Sequence, residues 1–174
     1  MSTFFLRRAR TTDVESIRAL VKPLADRRVL LEKEAVAYYE SLQEFRIAED
    51  DAGAIIGCGA LHVMWEDIAE VRTLATSEDW RGRGVGHALL DQLVEDAREI
   101  GVDRVFCLTF EVPFFQRHGF EVMADQSVVD PEVYSQLLRS TDEGVAEFLD
   151  LARVKPNTLG NTRMIRHLQD GGSR

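Results

Sequence analysis

Apolar positions along this 174-residue chain recur with two periods, and the change from one to the other marks the elements. FFLRRAR (4–10) begins the chain as a strand. Val14, Ile17, Ala19, Leu20 and Val21 then form a mostly one-sided helical stripe, with Thr12 and Glu15 at capping-box separation. LEKEAVAYYESLQEF (31–45) is a second helical segment. FRIAED and AIIGCGALHVM flank Asp50, Asp51, Ala52 and Gly53, which is hairpin chemistry. IAEVRTLAT (68–76) reads as a strand rich in β-branched residues at its centre. From about Val85 to Ile100, residues Val85, Leu89, Leu93, Ala97 and Ile100 share one helical face, and Gly101 is placed to end it. RVFCLTF (104–110) reads as a buried strand, PFFQRH as a short helix closed by Gly119, and FEVM as a strand. PEVYSQLLRS (131–140) is helical, and EFLDLA and RMIRHL are late strands. Helices alternating with strands, with hairpins early and late, predict a mixed α/β fold. With no internal repeat or low-complexity linker, residues 1–174 are expected to form one domain.

Composition narrows the possible partners. Against 21 basic residues stand 30 acidic ones, a net charge of -9 that argues against general nucleic-acid binding. No apolar run approaches the roughly 20 residues of a membrane span. The first residues, MSTFFLRRARTTDVES, lack the apolar stretch of a secretion signal. Cys58 and Cys107 are far apart in apolar surroundings and read as buried free thiols of a reducing compartment, so a cytoplasmic address is expected. His62 and Glu66 lack further ligands nearby, and no metal is expected.

Against that acidic background, WRGRGVGHALL (80–90) is a basic, glycine-rich loop running into a helix. Glycines there let backbone amides approach phosphate oxygens, and the helix N-terminus adds partial positive charge. A dinucleotide fingerprint starting at Gly82 requires a small residue where His87 stands. A P-loop requires Gly-Lys-Ser/Thr, which the chain lacks. What remains is Arg81-x-x-Gly84-x-Gly86. This pattern resembles the acyl-CoA loop of the GNAT N-acetyltransferases. FLRRARTTDVESIRALV is similar to that family's first strand and helix, and FFQRHGF (114–120) to its YxxxGF ending.

The resemblance covers residues 4–123, with 124–174 as a C-terminal, family-specific part. It implies the GNAT fold, a mixed and largely antiparallel central sheet flanked by helices, with acetyl-CoA as co-substrate. Arg81, Gly82, Arg83, Gly84, Val85, Gly86 and His87 correspond to the segment that cradles the pyrophosphate. For His87 a hydrogen bond to that group and a plain surface position are both open. Leu74, Ala75 and Thr76 correspond to backbone that pairs with the pantetheine arm, on a strand that splays from its neighbour, with Leu74 N–H as oxyanion donor. Phe114 and Phe115 are placed to pack on the pantetheine. Phe115 stands where many members carry the tyrosine acid, so another hydroxyl donates the proton or the weakly basic thiolate leaves unassisted.

Acyl transfer to an amine needs a base. Glu70, four residues before Leu74, is the candidate; its other reading is a strand carboxylate paired with an arginine. LEKEAVAYYESLQEFRIAEDD, GCGALHVMWEDIAEVRTLA, RVFCLTFEVPFFQRHGFEVM and GNTRMI together resemble short, stand-alone bacterial N-acetylglutamate synthases. That implies acetylation of the α-amine of L-glutamate or L-glutamine, the entry to arginine synthesis. It makes Thr162 a candidate proton donor and Lys33 and Asn161 candidate substrate-binding residues, and a substrate carboxylate calls for a cation such as Arg72. Arg72 has the strand parity of Glu70 and should share its face. Arg28, Lys155 and Arg163 are further cations, each also readable as a surface charge, and Gly160 stands where the long synthases carry an arginine. His118 reads as a helix C-terminal cation, Tyr38 as core and Tyr39 as surface. An acetyltransferase for another small amine or a protein N-terminus, and a non-catalytic acetyl-CoA-binding module, are the alternatives. Helix 131–140 and the late strands offer a homodimer contact.

Overall fold

In the computed structural model, which describes residues 3–123, 130–142, 145 and 161–168, seven strands form one sheet. The strands are β1 (Phe4–Arg8), β2 (Phe45–Asp50), β3 (Ile55–Trp65), β4 (Ile68–Thr76), β5 (Arg104–Thr109), β6 (Glu121–Val122) and β7 (Thr162–His167). Their order is β1-β2-β3-β4-β5-β7-β6, and every pairing is antiparallel except β4 with β5. The helices are α1 (Val14–Asp26), α2 (Ala35–Glu40), α3 (Val85–Ile100), α4 (Val112–Arg117) and α5 (Pro131–Leu137). The segment EFLDLA, Lys155 and Gly160 lie outside the described residues.

The two sheet faces are covered by different helices. Val14, Ile17 and Val21 of α1 and Tyr38 of α2 pack on Phe45, Ile47, Cys58, Ala60 and Ala75. On the opposite face, Leu90, Leu93 and Val94 of α3 and Phe115 of α4 pack on Leu61, Ala69, Val71 and Val105. Tyr38 is core and Tyr39 surface, as the pattern suggested. Both cysteines are buried, and burial pushes the Cys58 thiol up to about 12.

Close approach of α3 to the sheet depends on glycine. A Cβ on Gly57 would lie 2.7 Å from Val85 Cγ1, and one on Gly59 would lie 2.9 Å from Leu93 Cδ1. A second tie is the bidentate pair from Arg46 to Asp96, with both contacts at 2.7 Å, which joins β2 to α3.

Four local expectations are corrected. The helix expected over 31–45 is confined to Ala35–Glu40, followed by a 3-10 turn at Leu42–Glu44. Ser41 ends it by bonding its hydroxyl back to Ala37 O at 2.6 Å, an alternative to continued helix. The Thr12–Glu15 capping box gives way to Asp13, which accepts from Arg10 N at 2.6 Å and is gripped by Arg7 at 2.8 and 3.0 Å. A buried, charge-assisted contact wins over a solvent-exposed cap. The late helix runs over Pro131–Leu137, and FEVM contributes only Glu121–Val122 to the sheet.

Candidate active site

The cleft begins where two strands part. β4 pairs with β5 only through Ile68, Ala69 and Glu70, opposite Arg104, Val105 and Phe106. Beyond Glu70 the two strands diverge, and a cleft of about 540 Å³ occupies the fork. Val71–Thr76 line one wall and Cys107–Glu111 the other.

A bulge shapes the β4 wall. Cys58 pairs with Ala75 and Ala60 with Arg72, so β4 carries one residue more than β3 between these rungs. The extra residue is accommodated at Thr73, a β-branched residue at φ +56°. Side chains therefore change faces across it. Val71 packs with α3, whereas Ala75, of the same sequence parity, packs with α1. Sequence periodicity carries no signal for this insertion.

At one end of the cleft the glycine loop leads into α3. Gly82 and Gly84 have φ of +73° and +85°, and Gly84 is the N-cap of α3. The first intrahelical bond is from Ala88 N to Gly84 O at 3.0 Å. The amides of Val85, Gly86 and His87 thus stand free of helical acceptors, the arrangement that suits an anion. Arg81, Gly82, Gly84, Val85, Gly86 and His87 all line the cleft. Arg83 instead places its guanidinium over the Trp80 ring, 5.1 Å from the centroid. Phe114 faces the cleft against Gly86, 3.6 Å from where a Cβ would stand, while Phe115 is mostly core, edge-on to Phe114 and Phe120.

At the other end ionisable groups gather on the α1 side of the sheet. Glu70 is 4% exposed, and Arg72 Nε donates to its Oε2 at 3.0 Å. Arg72 Nη1 reaches both oxygens of Asp142 at 3.1 Å. His62 sits directly across from Glu70 on β3, and its Nδ1 lies 2.7 Å from Glu44 Oε1. Lys33 lines the cleft from the extended segment before α2. Burial pushes the Glu70 carboxyl above its ordinary 4.5, against the pull of Arg72 and Lys33. Burial likewise lowers Lys33, helped by the Arg72 charge. Burial alone would raise Asp142, but the bonds and charge of Arg72 overcome it and hold the carboxyl at about 2.

Asn161 also lines the cleft, whereas Thr162 enters β7 opposite Thr109 and is not among the lining residues. Arg28 lies away from the lining, and Arg163 is buried in β7. Thr73 and the apolar wall Val29–Leu31 in the lining, and Asp142, Glu44 and His62 in the ionisable cluster beside it, carry no signal in the sequence that marks them as site residues.

The acetyltransferase (GNAT) family model matches residues 14–120. The chain belongs to the GNAT family. This GNAT chain is 51% identical over 162 residues to the amino-acid acetyltransferase of Mycobacterium tuberculosis, covering 92% of each. It superposes with a TM-score of 0.90, at 50% identity, on Mycobacterium tuberculosis Rv2747 solved in complex with CoA and NLQ. That match covers 95% of this chain and 99% of the other. N-acetylglutamate synthase from Neisseria gonorrhoeae, complexed with coenzyme A and N-acetyl-glutamate, matches with a TM-score of 0.78 at 25% identity. There the GNAT chain is covered to 97% but spans only 36% of the longer protein. The expected fold, a largely antiparallel sheet flanked by helices, is the one found.

Proposed function

We infer that the protein transfers an acetyl group from acetyl-CoA to the α-amine of L-glutamate or L-glutamine. The observation that carries this reading is that one cleft holds both a phosphate-suited helix N-terminus and, at the strand fork, the buried Glu70. The amino-acid acetyltransferase and N-acetylglutamate synthase matches support the acceptor class.

In this reading Arg81 and the loop amides through His87 hold the pyrophosphate, with Phe114 against the pantetheine. The unpaired edge of β4 at Leu74–Thr76 lies alongside the acyl arm, and Leu74 N–H meets the thioester oxygen. Lys33, which lines the cleft near Glu70, is a cation for a substrate carboxylate. Arg72, already held by Glu70 and Asp142, orders the base and contributes field more than direct contact.

The substrate amine gives its proton to Glu70 and attacks the thioester carbon, and the C–S bond breaks with the electron pair leaving on sulfur. Coenzyme A departs as a weakly basic thiolate, with Asn161 nearer the cleft than Thr162. The product is the entry compound of arginine synthesis, made in the cytoplasm. Thiol release from acetyl-CoA with each of the twenty amino acids tests the assignment. Release with glutamate or glutamine is expected, and turnover of neither would overturn it.

A further inference from the structure

Behind the glycine loop, apart from the Glu70 cluster, three ionisable side chains form a chain of contacts. His87 Nδ1 lies 2.6 Å from His118 Nε2, and His118 Nδ1 lies 3.0 Å from Asp91 Oδ1. The imidazoles meet edge to edge, their planes 25° apart and centroids 4.9 Å apart, and Phe114 packs against both rings at 5.0 and 5.1 Å. His87 lines the cleft, the His118 side chain is 9% exposed, and Asp91 is 69% exposed at the solvent end.

Donor and acceptor capacity decides what this chain presents to a ligand. Ionised Asp91 only accepts, so His118 Nδ1 carries a hydrogen. With both rings neutral, His118 Nε2 is a lone pair, and His87 Nδ1 must donate to it. His87 Nε2 is then a bare acceptor, the wrong partner for a phosphate oxygen. An added proton binds at His87 Nε2, and the bridging hydrogen stays on His87 or crosses to His118 Nε2. In both arrangements His87 Nε2 is a donor, and the pair of rings carries one positive charge.

We propose that Asp91 and His118 lock the tautomer of His87, so that an anionic acyl donor binds at the glycine loop with uptake of one proton by His87 and His118. This rests on reading the cleft as the acetyl-CoA site. Asp91 and His118 are positioning residues, acting through His87. The other charged groups nearby are Arg81 and Arg83 on the loop, Glu111 at the head of α4, Arg117 beside His118, and Arg166 of β7 against Gly119. Among these side-chain types histidine is the one that changes charge between about pH 5 and 8.

Dephospho-coenzyme A is the probe, because its pyrophosphate keeps its charge across that range. Calorimetric titration of the full chain in buffers of different ionisation enthalpy counts the protons taken up. For the wild type, uptake is expected and Kd rises with pH, towards about tenfold per unit where uptake is complete. His118→Phe keeps a ring against Phe114 but frees His87 to carry its hydrogen on Nε2 while neutral, so the pH profile flattens and affinity survives at alkaline pH. Asp91→Asn, at an exposed helical position, should reduce uptake in the same direction. His87→Phe should bind weakly at every pH. Identical proton uptake in wild type, His118→Phe and Asp91→Asn would overturn the tautomer lock and leave the donor site standing. No binding of the probe or of acetyl-CoA by the wild type at any pH would overturn the donor-site reading itself.

Discussion

Arg72 lies along Glu70, with Nε 3.0 Å and Nη2 2.8 Å from the same carboxylate oxygen, on the last rung that joins β4 to β5. The carboxylate is thus paired with an arginine, as one of its two readings had it, and its place at the mouth of the fork is what the proposed base role requires. Burial holds its proton more tightly than in an ordinary glutamate, and the cation beside it limits the effect.

Glu70→Gln should lower kcat/KM for the amino acid by roughly 10²–10⁴-fold at neutral pH. Glu70 works as a base only when ionised, so wild-type activity rises as pH climbs through its raised range above 4.5. At high pH the substrate amine arrives already deprotonated and the base becomes dispensable. The deficit of the variant therefore narrows as pH increases. Parallel pH–rate profiles for the two proteins would exclude the role.

Asp142→Asn removes the second carboxylate on Arg72. Because Arg72 holds Asp142 at about 2, below its ordinary 3.8, the pair contributes stability above 3.8 and loses it as pH falls towards 2. Denaturant midpoints of wild type and variant should differ at neutral pH and converge across that window. The KM for the amino acid should rise several-fold with the KM for acetyl-CoA unchanged. A constant stability gap down to acid would show that the ion pair is not the cause.

Gly84→Val tests the loop. The backbone at φ +85° suits glycine, and a β-branched residue there costs on the order of 1–2 kcal/mol, with no atom within 4 Å to clash against. The helix should remain folded while the amides after Gly84 lose their aim. Expected is an acetyl-CoA KM raised by about tenfold or more, equivalent to at least ~1.4 kcal/mol. With saturating donor, the KM for the amino acid should stay put. Unchanged donor affinity would separate the loop from donor binding.

Local periodicity made much of this architecture legible, and its failures have physical causes. The stripe from Val85 to Ala97 reports burial on one face, and the two-residue period of a strand places Glu70 and Arg72 together although both faces of β4 are buried there. Leu74 shares their parity in sequence, yet its side chain reaches the α3 side, 3.0 Å from a Cβ built on Gly59, because Thr73 inserts a bulge. A bulge is set by backbone conformation at a single residue and leaves no periodic trace. Asp142 meets Arg72 across 70 residues of chain, and nothing local announces such a contact. The Asp13–Arg7 grip likewise displaced a cap that local spacing alone favoured.

Gly57→Ala probes how the sheet sets the donor loop. Its new methyl would stand 2.7 Å from Val85 Cγ1, 3.0 Å from Leu89 Cδ1 and 3.3 Å from Ala75 O. Val85 is stiff at χ1 and opens α3, so the helix start must move away from the sheet and carry the loop amides with it. The expected cost is about 1–3 kcal/mol of stability together with a higher KM for acetyl-CoA. Val85→Ala alone should also destabilise, by deleting buried methyl groups. In the double variant the methyl added at position 57 takes space vacated by the valine, so the two costs should fall short of their sum and donor affinity should recover in part. Leu89 still crowds the site, which keeps the recovery incomplete. Additive costs with no recovery in KM would mean that the position of α3 is set by something other than this contact.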